Sequence, residues 1–193
     1  MDIASLNDLI QVKRRTVKPH QFNDKEIDKA IIENILENAN WAPTHGITQP
    51  WAFTVIQGNA RQELADFLSS LYKELTPEGE FLEGKYEKLR VNPIKAPCII
   101  SLSMKRGKNV KIPELEEIEA AAIAAQNMML TAAAYGLGSF FSTPKIIYKE
   151  EAKSFLSLGE DDLWLGLLYF GYTDKQIPQA RRRPIEEFVE WRF

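Results

Sequence analysis

The sequence predicts a three-layer domain of the α+β or α/β class, and three observations carry that expectation. Helical and strand patterns follow one another in the order helix, helix, strand, helix, strand, helix, strand, helix, strand. Leu163 to Tyr172 is a continuous apolar run of strand length, which suits the middle of a sheet covered on both faces. Ala120 to Ala134 is apolar nearly all round except for Gln126, Asn127 and Thr131. A membrane span would need roughly 20 residues free of such amides, so this segment is expected to be a buried central helix.

The first helix is signalled by Ser5 with Asp8, continues through Leu6, Leu9, Ile10 and Lys13, and is expected to end near Arg14. A second is expected from Asn23 or Asp24, with Glu26 in reach of the cap and Ile27, Ile31, Ile35 and Ala39 on its apolar face. Ala52 to Ile56 reads as a strand, and Gly58-Asn59 turns it into a third helix carrying Leu64, Phe67, Leu68, Leu71 and Leu75. Thr76 to Val91 is charged, holds Pro77, Gly79 and Gly84, and is expected to be a mobile surface excursion containing some helix. Cys98 to Met104 is a second strand, and Lys105 to Pro113 a polar loop over a pocket. The long helix then runs from Glu114 to about Tyr135. Its many alanines allow a second backbone to approach closely, between two copies of the chain as one option, and Gln126 and Asn127 are expected to need partners inside the protein. Gly136-Leu137-Gly138 stops that helix, and a short strand follows through Ser139 to Pro144. Lys149 to Leu158 is expected to be a further amphipathic helix. The tail from Lys175 to Phe193 holds Phe188, Val189, Trp191 and Phe193, which should pack on the body or on a partner.

A chain of 193 residues with 45% apolar content can bury a sizeable core, and one domain spanning 1–193 is expected. The net charge is −3 and the pI about 5.6, so no large basic field exists to attract nucleic acid or a membrane surface. The single cysteine, Cys98, forbids an internal disulfide. His20 and His45 lie in distant segments, which disfavours a zinc cluster. The N-terminal residues lack the basic start and apolar run of a signal peptide, so a cytoplasmic location is expected.

Two stretches carry polar chemistry. Trp41 to Trp51 packs Pro43, Gly46 and Pro50 between a helix and a strand, so its freed backbone amides need partners in water, side chains or a ligand. Thr44, His45, Thr48 and Gln49 add groups that suit the oxygens and ring nitrogens of a heterocycle, and an ordinary helix-to-strand connection is the plain alternative. Arg14-Arg15-Thr16 can hold a phosphate by forked hydrogen bonds, or can be a solvated basic helix end complementing the macrodipole. No glycine-rich phosphate loop, Ser-His-Asp spacing or paired-carboxylate motif is present, so an enzyme of this sequence would take its chemistry from a cofactor.

Four separated pieces resemble the nitroreductase family of FMN-dependent NAD(P)H oxidoreductases: Arg14-Arg15-Thr16, Ala42 to Trp51, Ala124 to Leu130 leading to Gly136-Leu137-Gly138-Ser139, and Gly171-Tyr172 with the arginines before Pro184. They stand in the family's order and span nearly the whole chain. The resemblance implies a central mixed, mostly antiparallel sheet with one added strand, wrapped by helices in an intertwined homodimer with two FMN sites at the interface. It assigns Arg14, Arg15 and Thr16 to the FMN phosphate, ribityl chain and pyrimidine edge. Arg181, Arg182 and Arg183 supply further phosphate contact, with Arg182 favoured. Pro43, Thr44, His45 and Gln49 would line the flavin from the other subunit, and Phe141, Ser142 and Thr143 would lie along the isoalloxazine. His45 and Gln49 stand where many members have serine and asparagine, a pattern similar to one small-sized subgroup.

The implied reaction is ping-pong. NADH or NADPH passes hydride to FMN N5, and a small-molecule acceptor of the nitroaromatic, quinone or enone class then takes the electrons from the same face. No catalytic side chain is required; protein donors stabilise charge developing on the pyrimidine side. A flavin-binding protein without turnover, and a dehalogenating or flavin-cleaving family member, are the alternatives.

Overall fold

The computed structural model describes residues 2–109 and 111–193. Four antiparallel strands, β1 (Trp51–Ile56), β2 (Cys98–Met104), β3 (Gly138–Ser142) and β4 (Leu163–Gly171), pair in the spatial order β1-β2-β4-β3. The expected mixed sheet is antiparallel throughout its four strands, and its parallel component is a single bridge from Thr16 to Ser139 beside β3. Helices α2 (Lys29–Asn40) and α5 (Glu114–Ala134) cover one face, and α3 (Ala60–Leu75) and α4 (Glu83–Lys95) the other.

The alternation of side chains along a strand explains the two cores. Cys98, Ile100, Leu102, Leu168 and Phe170 point to α2 and α5, where they meet Ile32, Ile35, Ala121, Ala125 and Met128. Their neighbours Ile99, Leu167 and Tyr169 point the other way, onto Leu64, Leu68 and Tyr72 of α3. Trp164 and Leu168, buried on opposite faces of β4, are the side chains behind the unbroken apolar run in the sequence.

Several expected boundaries move, each for a local reason. Asp2 caps α1 (Ile3–Asp8), and the helix then widens into a π turn over Leu9–Lys13, closed by Arg14 N–H donating to Leu9 O at 2.9 Å. Helix α2 starts at Lys29, later than the Asn23 or Asp24 expected, because Asp28 is its cap and accepts from Ala30 N–H at 2.9 Å. The charged excursion after Thr76 contains a full helix, α4, with Pro93 buried, and Phe81 of this region packs between Tyr72 and Tyr86. The helix expected at Lys149 to Leu158 is instead a pair of 3₁₀ segments, Lys145–Tyr148 and Glu150–Leu156, ending at Ser157 in a left-handed conformation.

Helix α5 is not buried all round. It shows an exposed stripe including Leu115, Ala122, Ile123, Gln126 and Ala134. Gln126 therefore needs no internal partner in this chain, whereas Asn127 donates to Asn38 O at 3.0 Å and the Asn38 amide donates to Thr131 Oγ1 at 3.0 Å, tying α5 to α2. The tail stays on the body through Thr173, whose hydroxyl donates to Gln21 O at 2.6 Å, and half-buried Ile177, whereas its apolar end does not pack there: Ile185, Phe188, Trp191 and Phe193 are all exposed. Among the described residues no helix is long and apolar enough to cross a membrane.

Candidate functional site

One cluster of predicted residues gathers at the C-terminal end of α5. The π turn terminates α1's direction and releases Arg14 into extended backbone, with Arg14 and Arg15 half-buried. Arg15 folds back, donating from Nη1 to Arg14 O at 2.9 Å and from Nη2 to Gln11 O. Thr16 is held by its bridge to Ser139, and Val17 N–H donates to Ser139 O at 2.9 Å. A cavity of about 370 Å³ opens here, lined by Arg15, Val17, Ala134, Gly136, Gly138 and Ile177. The Arg14 guanidinium is held below the usual arginine range, first by burial and then by the positive charges of Arg15 and Arg182. Among the described residues no carboxylate is paired with any of these three arginines. Three cations brought together without a counterion are a site for an anion, and a phosphate monoester fits their forked donors.

The C-terminal triplet divides by geometry. Arg182 is the member whose charge acts on Arg14. Arg183 is engaged elsewhere, 3.1 Å from Glu187 and over the Phe188 ring at 4.3 Å. The Arg181 carbonyl accepts from Arg182 Nη1 at 3.0 Å.

The second cluster, the loop after α2, sits at the other end of α5. Gly46, Ile47 and Gln49 all have positive φ, at 57°, 55° and 44°. For the β-branched Ile47 and for Gln49 this is a strained conformation, of order 1–3 kcal/mol each, and such strain persists only where the surroundings over-determine it. Here Thr44 Oγ1 lies 2.9 Å from Thr48 Oγ1 and accepts from Gln49 N–H at 3.3 Å, while His45 Nδ1 meets Glu116 Oε2 at 2.5 Å. Pro43, His45, Ile47 and Gln49 are exposed, so the strain presents side chains outward. Gln49 also borders an open groove of about 650 Å³ with Glu33, Glu37, Trp51 and Phe53.

The two clusters are far apart in one chain. His45 is attached to Glu116 in the first turn of α5, and the arginine cavity touches Ala133, seventeen residues later in the helix, about 25 Å away at the α-helical rise.

Against known proteins, the model of the family described as "Nitroreductase family" matches residues 12–172. The chain belongs to the nitroreductase family. Among curated nitroreductases it is similar to YfhC of Bacillus subtilis (strain 168), an NAD(P)H nitroreductase by name, with 24% identity over 183 residues, covering 94% of this chain and 91% of that one. Similarity to YdjA of Escherichia coli (strain K12), also an NAD(P)H nitroreductase by name, is 29% over 144 residues, covering 72% and 74%. The nitroreductase-like family protein of Bacillus cereus superposes with a TM-score of 0.84 at 26% identity, over 99% of this chain and 97% of that one. The FMN-dependent nitroreductase NfnB of Mycobacterium smegmatis, solved with NADPH, shares the fold at a TM-score of 0.75 and 23% identity over the whole of both chains.

In this nitroreductase chain β3 runs from the arginine cavity toward a third set of expected residues. Ser139, at the arginine end, is buried, and Phe141, Ser142 and Thr143 follow at about 3.3 Å per residue along the strand. Phe141 lies with its ring edge over Gly166, where a Cβ would stand 2.2 Å from Cε2. Only glycine in β4 leaves room for that ring, which is itself one-third exposed. The structure thus places Thr16 and the strand that leads through Phe141 and Ser142 to Thr143 side by side, and separates Arg14 and Arg15 from Pro43, Thr44, His45 and Gln49.

Residues beneath the loop carried no legible signal. Glu117 is buried beside Arg106 and Gly107, and Ile112 lies under Gly46. In the sequence Glu117 is one of four glutamates between Glu114 and Glu119, and nothing separates it from its solvated neighbours. A polar cavity of about 430 Å³ bounded by Asn23, Glu26 and Arg61 lies away from both clusters, and its Arg61 is already bonded to the carbonyls of Gly58, Ile94 and Ala96.

Proposed function

We propose that this chain is an FMN-dependent NAD(P)H oxidoreductase that reduces a small acceptor of the nitroaromatic, quinone or enone class by a ping-pong cycle. The observation that carries the reading is the cluster of Arg14, Arg15 and Arg182 without a carboxylate partner, with Arg15 lining a cavity of about 370 Å³. Names of similar proteins, NAD(P)H nitroreductases and FMN-dependent nitroreductases, support it.

The residues present fit FMN. Arg14, Arg15 and Thr16 would divide its phosphate, ribityl chain and pyrimidine edge among them, Arg182 would add a charge-assisted bond to the phosphate, and Phe141, Ser142 and Thr143 would lie along the ring system. Bound FMN would supply reversible hydride transfer at N5 between a nicotinamide and an acceptor. A donor of this set at the pyrimidine edge would favour the reduced, more negative form. Phe141 excludes water from one edge.

A site needs both clusters, and one chain holds them about 25 Å apart, so we infer a homodimer in which each site takes its arginines from one subunit and its 43–49 loop from the other. The exposed stripe on α5 and the exposed tail with Trp191 and Phe193 are the apolar surfaces that such a partner would cover. A soluble cytoplasmic protein is the matching setting.

Purified protein should be yellow, release FMN on denaturation, and oxidise NADH or NADPH only when a nitroaromatic, quinone or enone acceptor is added, with parallel double-reciprocal lines. Colourless protein without FMN affinity in a fluorescence titration would overturn the cofactor; bound FMN with no nicotinamide oxidation under any acceptor would leave a flavin-binding protein without turnover.

A further inference from the structure

We infer that the buried Glu117–Arg106 pair is a positioning device for the flavin-lining loop, holding 44–49 in its strained shape through the segment that starts at Lys105 and ends at Ile112. The inference rests on the flavin reading above, and it assigns work to two residues outside every motif of the family resemblance.

Glu117 is 1% exposed, on the face of α5 that looks back toward the loop. Its carboxylate pairs with Arg106 Nη1 and accepts from Gly107 N–H at 3.1 and 3.3 Å through its two oxygens. Arg106 Nη2 then donates to Ile112 O at 2.7 Å, and Arg106 N–H donates to Asp162 Oδ1 at 2.9 Å. One carboxylate and one guanidinium thus tie α5 to both ends of the 105–112 segment, and the Arg106 backbone amide adds the start of β4.

That arrangement touches the flavin-lining loop at three points. Ile112 is 3% exposed, and its Cδ1 lies 2.8 Å from where a Cβ at Gly46 would stand. A Cβ at Gly107 would lie 3.6 Å from Thr48 Cγ2 and 2.5 Å from Glu117 Oε1, so both glycines mark close approaches between the two segments. Lys105 N–H donates to Pro50 O at 2.7 Å. The loop's own bonds, between Thr44, Thr48 and Gln49, lie within it, and its tie to α5 through His45 Nδ1 and Glu116 Oε2 at 2.5 Å is solvent-exposed and joins two flexible side chains, a weaker constraint than the buried pair.

Chemistry separates positioning from plain stabilisation. A buried ion pair loses hydration on both partners, and well-packed apolar residues of similar volume commonly stabilise a fold as well or better. What the pair adds is directional: a carboxylate bonded at two oxygens and a planar fork admit one geometry. A shift of the loop by a fraction of its width would move Gln49 and His45 relative to any ring they line.

The test is a titration of full-length chains stripped of flavin, with FMN and with riboflavin, read by flavin fluorescence at a temperature well below each variant's melting point. Glu117→Gln keeps the size and loses the charge. Ile112→Ala removes the contact on Gly46 without leaving a buried charge and stands in if Glu117→Gln does not fold. Arg182→Ala is the phosphate control. Both loop variants should raise Kd about tenfold for FMN and for riboflavin alike, because the ring end is disturbed, whereas Arg182→Ala should weaken FMN alone. Loop variants whose Kd stays within twofold of wild type while the melting point falls would overturn the proposal, as would weakening confined to FMN. A wild-type chain that binds neither flavin would instead refute the reading on which it rests.

Discussion

Arg14 carries the sharpest consequence at the scale of single residues. Its charge is partly desolvated and faces two like charges, which is unfavourable until an anion arrives. Arg14→Ala should therefore weaken FMN binding by about 1.5–3 kcal/mol, as expected for a hydrogen bond to a charged group, while the melting temperature of flavin-free protein holds or rises. Calorimetry of flavin-free wild type and variant, beside flavin titrations, checks this; an equal loss in both would mark a structural arginine. Cys98 makes the opposite case. It is fully buried, and burial pushes its thiol up to about 12, so at pH 8 it is neutral and shielded. An aromatic disulfide reagent should find no reactive thiol in native protein and one per chain after denaturation.

The consequences for single elements turn on close approaches. β3 meets the segment after the π turn through Val17, whose side chain lies 2.6 Å from where a Cβ at Gly138 would stand. Val17 is 2% exposed and β-branched, so it has one stiff rotamer and no free space. Gly138→Ala should cost about 1–3 kcal/mol and push Thr16 away from Ser139, so both thermal stability and FMN affinity should fall together. Gly58→Ala meets no atom within 4 Å and serves as the comparison, its only cost being the φ of 55°; a Gly138→Ala chain no less stable than Gly58→Ala would contradict the packing. The same logic explains the shifted helices. Asp28 has a side-chain oxygen placed for the Ala30 N–H, and that decides where α2 begins more strongly than the isoleucine period, which runs through Ile27 before the helix exists.

The proposed homodimer rests on the length of α5. The arginine cavity and the 43–49 loop occupy opposite ends of one helix, and a second copy is the economical way to join them. Chains carrying Arg14→Ala or Gln49→Ala should each be nearly inactive alone. Co-refolded in equal amounts, half of the dimers should be mixed, each with one intact site of two, restoring roughly a quarter of wild-type activity. Mass spectrometry must show the mixed dimers; their presence without recovered activity would place each site within a single chain.

The sequence alone determined the layers and the family, because each is written in local periodicity or in short motifs whose order survives without coordinates. The continuous apolar run of Leu163 to Tyr172 is enough to mark a strand covered on both faces, and Arg14-Arg15-Thr16 and Thr44 to Gln49 name themselves by composition. Tertiary structure alone decided which arginine of 181–183 faces Arg14, that one stripe of α5 stays open, and that Glu117 rather than Glu114 or Glu119 is buried against Arg106. Each of these depends on which groups meet after the chain has folded back over many residues. The partners of Arg14, Gly46 and Glu117 are set by the packing of whole elements, and a contact of that kind leaves no period in the sequence of either partner.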